Sequence, residues 1–371
     1  MTDVLIIGGG LAGWRAAEAA IEAGVRVRLV ANGAGNSPHV HALNCPVLPE
    51  DSVACHMADT LSSGHDTNDR ELVRVLCEGA AKLKDEFSFD REPDGSYRLL
   101  QPLGSTVPRC VMIGPAIGAE VLRRIKARLA GRVDFVEGTV ERIDFAEAKA
   151  VVVATGGWCG RYDFSTNPPY LKGDGIRMAE ALGAAVVDRD VVQYEPTAAL
   201  EPPALRGIPV ITTLLYEGAT FRNAEGKEFL PDLHLNKDEL SKAIFAEVAR
   251  GGGVRGGVWY DATNVPRSLL ETKYAPLVRR YAEQGVDITR EWMLVAPAPH
   301  TSLGGLRIDA KCRVLDVTGR PIDGLFAAGE VTGGVHGANR LGGNAGTEVL
   351  VFGRIAGASA AEFSKRGKGD N

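Results

Sequence analysis

The sequence predicts an α/β fold whose main domain is discontinuous along the chain, with an α+β domain inserted into it. Three observations lead there. An apolar run at residues 4–7 leads straight into Gly8-Gly9-Gly10-Leu11-Ala12-Gly13 and then an alanine-rich stretch. Further apolar runs at 150–154 and 324–328 also end in glycine clusters, as buried parallel strands do before a sharp turn. Between about 200 and 294 the glycine turns thin out and capped helical patterns replace them, which marks a different domain. The expected division is 1–199 and 295–371 for the main domain and 200–294 for the insert, a common arrangement for a chain of 371 residues.

Composition narrows the function. Apolar residues at 45% and charged residues at 24% are ordinary for a globular chain. A net charge of −5 and the lack of any Lys/Arg-rich run offer no footprint for nucleic acid. No stretch approaches the roughly 18 apolar residues of a membrane span, and no signal peptide opens the chain, so a cytoplasmic protein is expected. The cysteines at 45, 55, 77, 110, 159 and 312 form no C-x-x-C pattern. Neither a haem attachment nor an iron–sulfur cluster is signalled, no metal is expected, and six separate thiols are.

Taken in order, residues 4–7 read as a buried strand, 11–23 as a helix and 25–30 as the next strand, a β-α-β unit. In that setting the glycines form a dinucleotide fingerprint. Gly8 permits the tight turn, Gly10 lets the backbone approach a pyrophosphate, and Gly13 lets helix and strand pack, with Ala12 beside it. Phosphates then sit on the free N–H groups at the helix start. The acidic residue that often ends the second strand is missing; Asn32 stands there and can hydrogen-bond a hydroxyl without charge. Residues 51–81 read as two helices around Gly64, 98–109 as irregular, 119–129 as a helix, and 133–144 as a hairpin or two short strands. Residues 150–154 are a strand ended by Thr155-Gly156-Gly157, and 172–175 open a helix running to 182. Near the end, a strand closes on Gly329-Glu330, a glycine-rich run covers 333–346, and a helix spans 347–361 before a tail, 365–371, expected to fray.

The second glycine site points to FAD rather than nicotinamide. A strand ending in Gly329-Glu330 can set a carboxylate against ribityl hydroxyls. The helix start at 344–347 offers backbone N–H groups and a positive dipole end to an anionic reduced flavin.

The run GEVTGGVHGANRLGGNAG at 329–346 resembles the signature of the fumarate reductase/succinate dehydrogenase flavoproteins and L-aspartate oxidase. The likeness extends through VLVFGRIAG at 349–357 and, in the family's order, to DSVACHMADT at 51–60, VVVATGG at 151–157, GDG at 173–175, VVQYEPT at 191–197 and PHTSLGG at 299–305. It implies a Rossmann-like FAD-binding domain with an inserted capping domain. Besides the fingerprint, it implies FAD contacts at Asn32, at Ala154, Thr155 and Gly156, at Asp174, at Glu330, and from Arg340 through Gly343, Asn344, Ala345 and Gly346. Some members attach FAD through a histidine; here the segment reads Ser37-Pro38-His39-Val40-His41 with neither histidine on the matching position, so non-covalent FAD is expected.

The resemblance also implies hydride transfer between flavin N5 and a small carboxylic or amino acid, with Arg340 and His300 clamping a carboxylate. Other positions depart from the family. Glu195 replaces a clamping histidine in Gln193-Tyr194-Glu195-Pro196-Thr197, Ile211-Thr212 replaces a Thr-Glu pair, and Lys237 falls where the family has a proton-delivering arginine. Asn236-Lys237-Asp238-Glu239 has the form of a capping box, which puts Lys237 in a first helical turn where the dipole disfavours its charge. Burial would act the same way, suiting Lys237 to general acid or base work. Glu195 should repel a dicarboxylate, so fumarate and succinate are not the expected substrates. A single carboxylate with an amine or hydroxyl facing Glu195 is. Glu195 and Lys237 pairing with each other, in an FAD-binding scaffold or an electron-transfer subunit serving a partner protein, is the other reading left open; an oxidase is a third.

Overall fold

The structure is a computed structural model that describes residues 2–366; residues 367–371, within the tail expected to fray, lie outside the described residues. The chain forms two units. The first comprises Met1–Arg161, Pro168–Val192 and Ser302–Asn371, the second Tyr162–Asn167 and Gln193–Thr301.

At the centre of the first unit is a six-stranded sheet in the order Arg313–Leu315, Pro321–Ala327, Ala148–Val153, Thr2–Ile7, Val27–Ala31, Asp134–Glu137. All neighbours are parallel except the Arg313–Leu315 edge. Val4, Ile6 and the whole of 150–153 are fully buried, so strands covered on both faces need apolar residues at consecutive rather than alternate positions. Helix Leu11–Glu22 follows the first strand, and the C-terminal helix Asn344–Lys365 packs against it. Their approach depends on glycine: a Cβ on Gly357 would lie 2.1 Å from the Ala16 carbonyl oxygen, and one on Gly353 2.7 Å from that of Ala12.

Two sequence expectations change. The region 133–144 holds a single strand, Asp134–Glu137, in place of a hairpin. It pairs in parallel with Val27–Ala31, Arg28 reaching Asp134 at 2.6 Å, so its partner lies about a hundred residues back rather than across a local turn. Within 98–109, Leu99–Leu100 is a short strand beside Cys110–Val111. The last helix starts at Asn344, within the expected start at 344–347, and Gly343 caps it with a left-handed φ of 84°.

The second unit carries a four-stranded sheet in the order Thr220–Arg222, Val258–Asp261, Met293–Ser302, Val192–Ala199. Two strands adjoining the expected 200–294 insert, Val192–Ala199 and Met293–Ser302, therefore belong to this sheet. Helices Lys237–Glu247 and Ala275–Ala282 accompany it, and Phe221 meets Tyr260 edge-on in its core.

Candidate active site

In the first unit the fingerprint glycines sit where no side chain fits. Gly8 has φ 121°, and a Cβ there would be 2.1 Å from the Ala154 carbonyl oxygen. A Cβ on Gly13 would be 2.0 Å from the Gly8 carbonyl oxygen, so the turn and the helix close directly on each other. Gly10 caps helix Leu11–Glu22, which holds Ala12 and Gly13, and the Leu11 N–H donates to Ser37 Oγ at 2.8 Å. Asn32 lies exposed just past the second strand, its Nδ2 donating to Thr139 Oγ1 at 3.2 Å. Ala154 directly follows the neighbouring strand, its N–H donating to the Ile7 carbonyl at 2.8 Å. Thr155 Oγ1 next to it is buried and has no hydrogen-bond partner among the described residues, and Gly156 turns the chain with φ 76°. Asp174 opens helix Asp174–Glu180 and pairs with Arg177.

Glu330 follows its strand and accepts from Ser302 N at 3.0 Å and Ser302 Oγ at 3.1 Å. Burial lifts its carboxyl to about 7 against those bonds. Arg340 is buried and donates through Nη1 to the Leu341 carbonyl at 3.2 Å. Gly343 caps the last helix, and Asn344, Ala345 and Gly346 form its first turn. Protein groups hold both ends of the Asn344 amide: Oδ1 accepts from Asn44 Nδ2 and His56 Nε2, each at 2.7 Å, and Nδ2 donates to Thr60 Oγ1 at 3.0 Å. Asn44 in turn donates to the Gly342 carbonyl and accepts from Cys110 Sγ.

These residues fit FAD. The glycine contacts leave bare backbone along the turn, the orphaned Thr155 hydroxyl awaits a polar group, and a 22-residue helix presents its first-turn N–H groups. His41 Nδ1 lies 3.1 Å from the Pro115 carbonyl oxygen, and His39 ends a short helical turn, Ser37–His39. Thiol chemistry has no support at Cys45, Cys77 or Cys110, whose pKa values burial pushes up to about 12. Among the described residues no group of three His, Cys, Asp or Glu side chains is placed to hold a metal, and no helix is long and apolar enough to cross a membrane.

The second unit gathers the remaining candidates. Lys237 is the first residue of its helix, with Glu239 accepting from Asn236 N at 3.0 Å. Its ammonium pairs with Oε2 of Glu195, which is buried in the strand Val192–Ala199. Thr197 Oγ1 lies 2.9 Å from Glu195 Oε1. Burial alone would raise the Glu195 carboxyl, but the charges of Lys237 and His300 with the bonds from Lys237 and Thr197 outweigh it and hold it below the usual range. Burial and the nearby Glu195 push the Tyr260 phenol up. His300, in the strand Met293–Ser302, has Nδ1 2.7 Å from Thr166 Oγ1. Thr212 begins a short helix, Thr212–Glu217, and is partly buried.

Of the arrangements open to Glu195, the structure has the pair with Lys237. Sequence reasoning missed Thr166, Asn167, Thr197 and His56. His56 and Thr197 lie in stretches, 51–60 and 191–197, that carry the family likeness; Thr166 and Asn167 are polar residues on a loop with no local signal.

The model of the FAD binding domain family matches residues 3–140 and 135–345. A fumarate reductase (CoM/CoB) chain of Methanothermobacter marburgensis is 35% identical, over 97% of this chain and 72% of its own. L-aspartate oxidase of Caulobacter vibrioides is 31% identical, over 96% and 76%. The solved structure of E. coli quinol fumarate reductase matches with a TM-score of 0.87 at 26% identity, covering 100% of this chain and 71% of that one.

Proposed function

The chain belongs to the FAD binding domain family, alongside fumarate reductase flavoproteins and L-aspartate oxidase, and we propose that this FAD-dependent oxidoreductase acts on a small carboxylic or amino acid other than fumarate or succinate. FAD, when bound, supplies the hydride acceptor or donor at N5. The cofactor is held non-covalently, by the backbone turns at Gly8–Gly13, Ala154–Gly156 and Gly343–Gly346 with Asn32, Asp174 and Glu330.

The buried Glu195–Lys237 pair carries the reading. A second substrate carboxylate would compete with Glu195 for the Lys237 ammonium, and like-charge juxtaposition costs several kcal/mol. An amine or hydroxyl can instead donate to lone pairs that Lys237 and Thr197 leave on Glu195. Arg340 and His300 are the proposed ligands of the single carboxylate, Arg by its bidentate fork and His as a donor. Lys237 holds the partner proton, Glu195 keeps its ammonium in place, and Thr212 is a further substrate contact.

The same pair favours a second reading. Glu195 and Lys237 neutralise each other, as they would in an FAD-binding subunit that hands electrons to a partner protein. Anaerobic photoreduction of the FAD-loaded protein, followed by a panel of unsaturated acids and imino acids, separates the two. Reoxidation by a mono-acid or an amino-acid-derived compound, and not by fumarate, supports the proposal. Rapid reoxidation by fumarate sinks the substrate assignment, and none by any compound favours the electron-transfer subunit. Peroxide formed with a substrate in air would identify an oxidase.

A further inference from the structure

The loop Tyr162–Asn167 interrupts the first unit in sequence yet packs in the second, and three of its residues dock on two consecutive residues of one strand. The Ser165 hydroxyl donates to the Pro299 carbonyl at 3.0 Å, and the Thr166 N–H donates to the same oxygen at 3.2 Å. Asn167 Nδ2 donates to the His300 carbonyl at 2.7 Å and to Thr166 Oγ1 at 3.2 Å. Thr166 Oγ1 then lies 2.7 Å from His300 Nδ1 and 3.4 Å from the Pro299 carbonyl oxygen.

These contacts decide where protons lie. The His300 carbonyl can only accept, so the Asn167 atom facing it is the amide nitrogen, and that nitrogen donates to Thr166 Oγ1. Thr166 has one hydroxyl proton to place. Giving it to Pro299 would ask for a third bond to a carbonyl with two lone pairs already taken, at the longest distance in the group. Giving it to His300 Nδ1 makes a short, well-matched O–H···N bond. The imidazole then carries its proton on Nε2.

We propose that Thr166 is a positioning residue that holds the proton of His300 on Nε2, making the ring an N–H donor on that edge. A donor edge is what a substrate carboxylate requires, whereas the opposite tautomer would present a lone pair and repel it. Asn167 assists by occupying an acceptor lone pair of the Thr166 hydroxyl. The use of that donor edge rests on the reading of His300 as a carboxylate ligand; the tautomer itself does not.

The test is long-range ¹H–¹⁵N NMR on FAD-loaded protein labelled with ¹⁵N-histidine, the His300 signals being those lost in His300→Gln. The expected result is the Nε2–H form in the wild type and in Thr166→Ser, which keeps the hydroxyl. Thr166→Val should shift His300 toward the Nδ1–H form. An Nδ1–H ring in the wild type overturns the proposal without any variant, as does an unchanged tautomer in Thr166→Val. With a substrate from the reoxidation panel, Thr166→Val should raise KM at least several-fold with a smaller change in kcat, and Thr166→Ser should restore it. If the tautomers behave as expected but His300→Gln leaves KM unchanged, the Thr166 proposal stands and the carboxylate role of His300 falls.

Discussion

His56 Nε2 lies 2.7 Å from Asn344 Oδ1, so a fully buried histidine of helix Val53–Ser63 holds the first residue of the C-terminal helix, 288 positions later. The bond requires the ring proton on Nε2, because Asn344 Oδ1, which also accepts from Asn44 Nδ2, can only accept. A neutral side chain thereby fixes the helix start whose backbone N–H groups are the proposed flavin contacts. Removing it in His56→Ala should cost about 2–4 kcal/mol from the lost bond and the cavity. It should also weaken FAD binding about tenfold or more, read by flavin fluorescence on titration of apoprotein. His56→Gln, which keeps a donor, should recover most of the binding.

The same residue makes stability depend on pH. Burial depresses the His56 pKa to about 4, against about 6.5 in an unfolded chain. Between those values the unfolded state binds a proton that the folded state refuses. Stability should therefore fall as pH drops from about 6.5 to 4, by about 3 kcal/mol in all. Chemical denaturation across this window should show a shallower slope for His56→Gln; equal slopes would remove His56 as the cause.

Glu195 and Lys237 should behave as a unit. Lys237→Met leaves a buried carboxylate uncompensated, at a cost of about 3–5 kcal/mol, and adding Glu195→Gln should return most of it. Glu195 in the native pair is held below its unfolded value, so its contribution is present above about pH 4.3 and lost as pH falls through the folded value. In Lys237→Met burial is left to raise the carboxyl and the sign reverses: stability should decline as pH rises above about 4.3. Thermal melts from pH 4 to 8 distinguish the two slopes. In activity assays, Glu195→His or Glu195→Gln should change substrate preference, and unchanged kinetics with the best substrate would sink the role given to Glu195.

Arg109 is fully buried and forks onto Asp51 at 2.9 and 3.0 Å while reaching Asp59 at 2.7 Å. Asp59 also accepts from Thr106 N and Oγ1, each at 3.0 Å. Arg109→Met strands two carboxylates in the interior and should destabilise the first unit by about 3–5 kcal/mol, measured by urea unfolding. Arg109→Lys should recover only part, because an ammonium cannot reproduce the fork.

Gly13 tests the cofactor cradle by sterics alone. The added methyl of Gly13→Ala would meet the Gly8 carbonyl at 2.0 Å, so the turn must move. Overpacking of this kind costs about 1–3 kcal/mol. Here the displaced backbone is also the expected phosphate site, so FAD should be lost on purification to a far greater degree than stability is.

Residues within one motif were legible in the sequence; residues that meet across the fold were not. The first β-α-β unit reads directly, since strand, turn and helix are consecutive and their periodicity is local. The strand at Asp134–Glu137 was misread because nothing nearby announces a partner at Val27–Ala31, and its four residues are all exposed at a sheet edge. The start of the last helix at 344–347 was readable despite its glycines, whose poor helix propensity packing overrides: a Cβ on Gly346 would lie 2.9 Å from Val40 and 3.0 Å from Leu43. Of the proposed FAD site, the glycine turns and Glu330 lie in contiguous signatures. Thr166 beside His300 was not, because 134 residues separate them.

The sequence by itself determined that this chain is an FAD-dependent oxidoreductase of the fumarate reductase and L-aspartate oxidase family. Cofactor recognition by backbone turns needs glycines at set spacings, and spacing is a one-dimensional property. Tertiary structure alone decided which charges meet. It paired Glu195 with Lys237, gave Thr166 to His300 and His56 to Asn344, and enclosed Arg109 between Asp51 and Asp59. Polar side chains interact over a few ångströms in space, and no pattern along the chain encodes which distant partner a buried group will find.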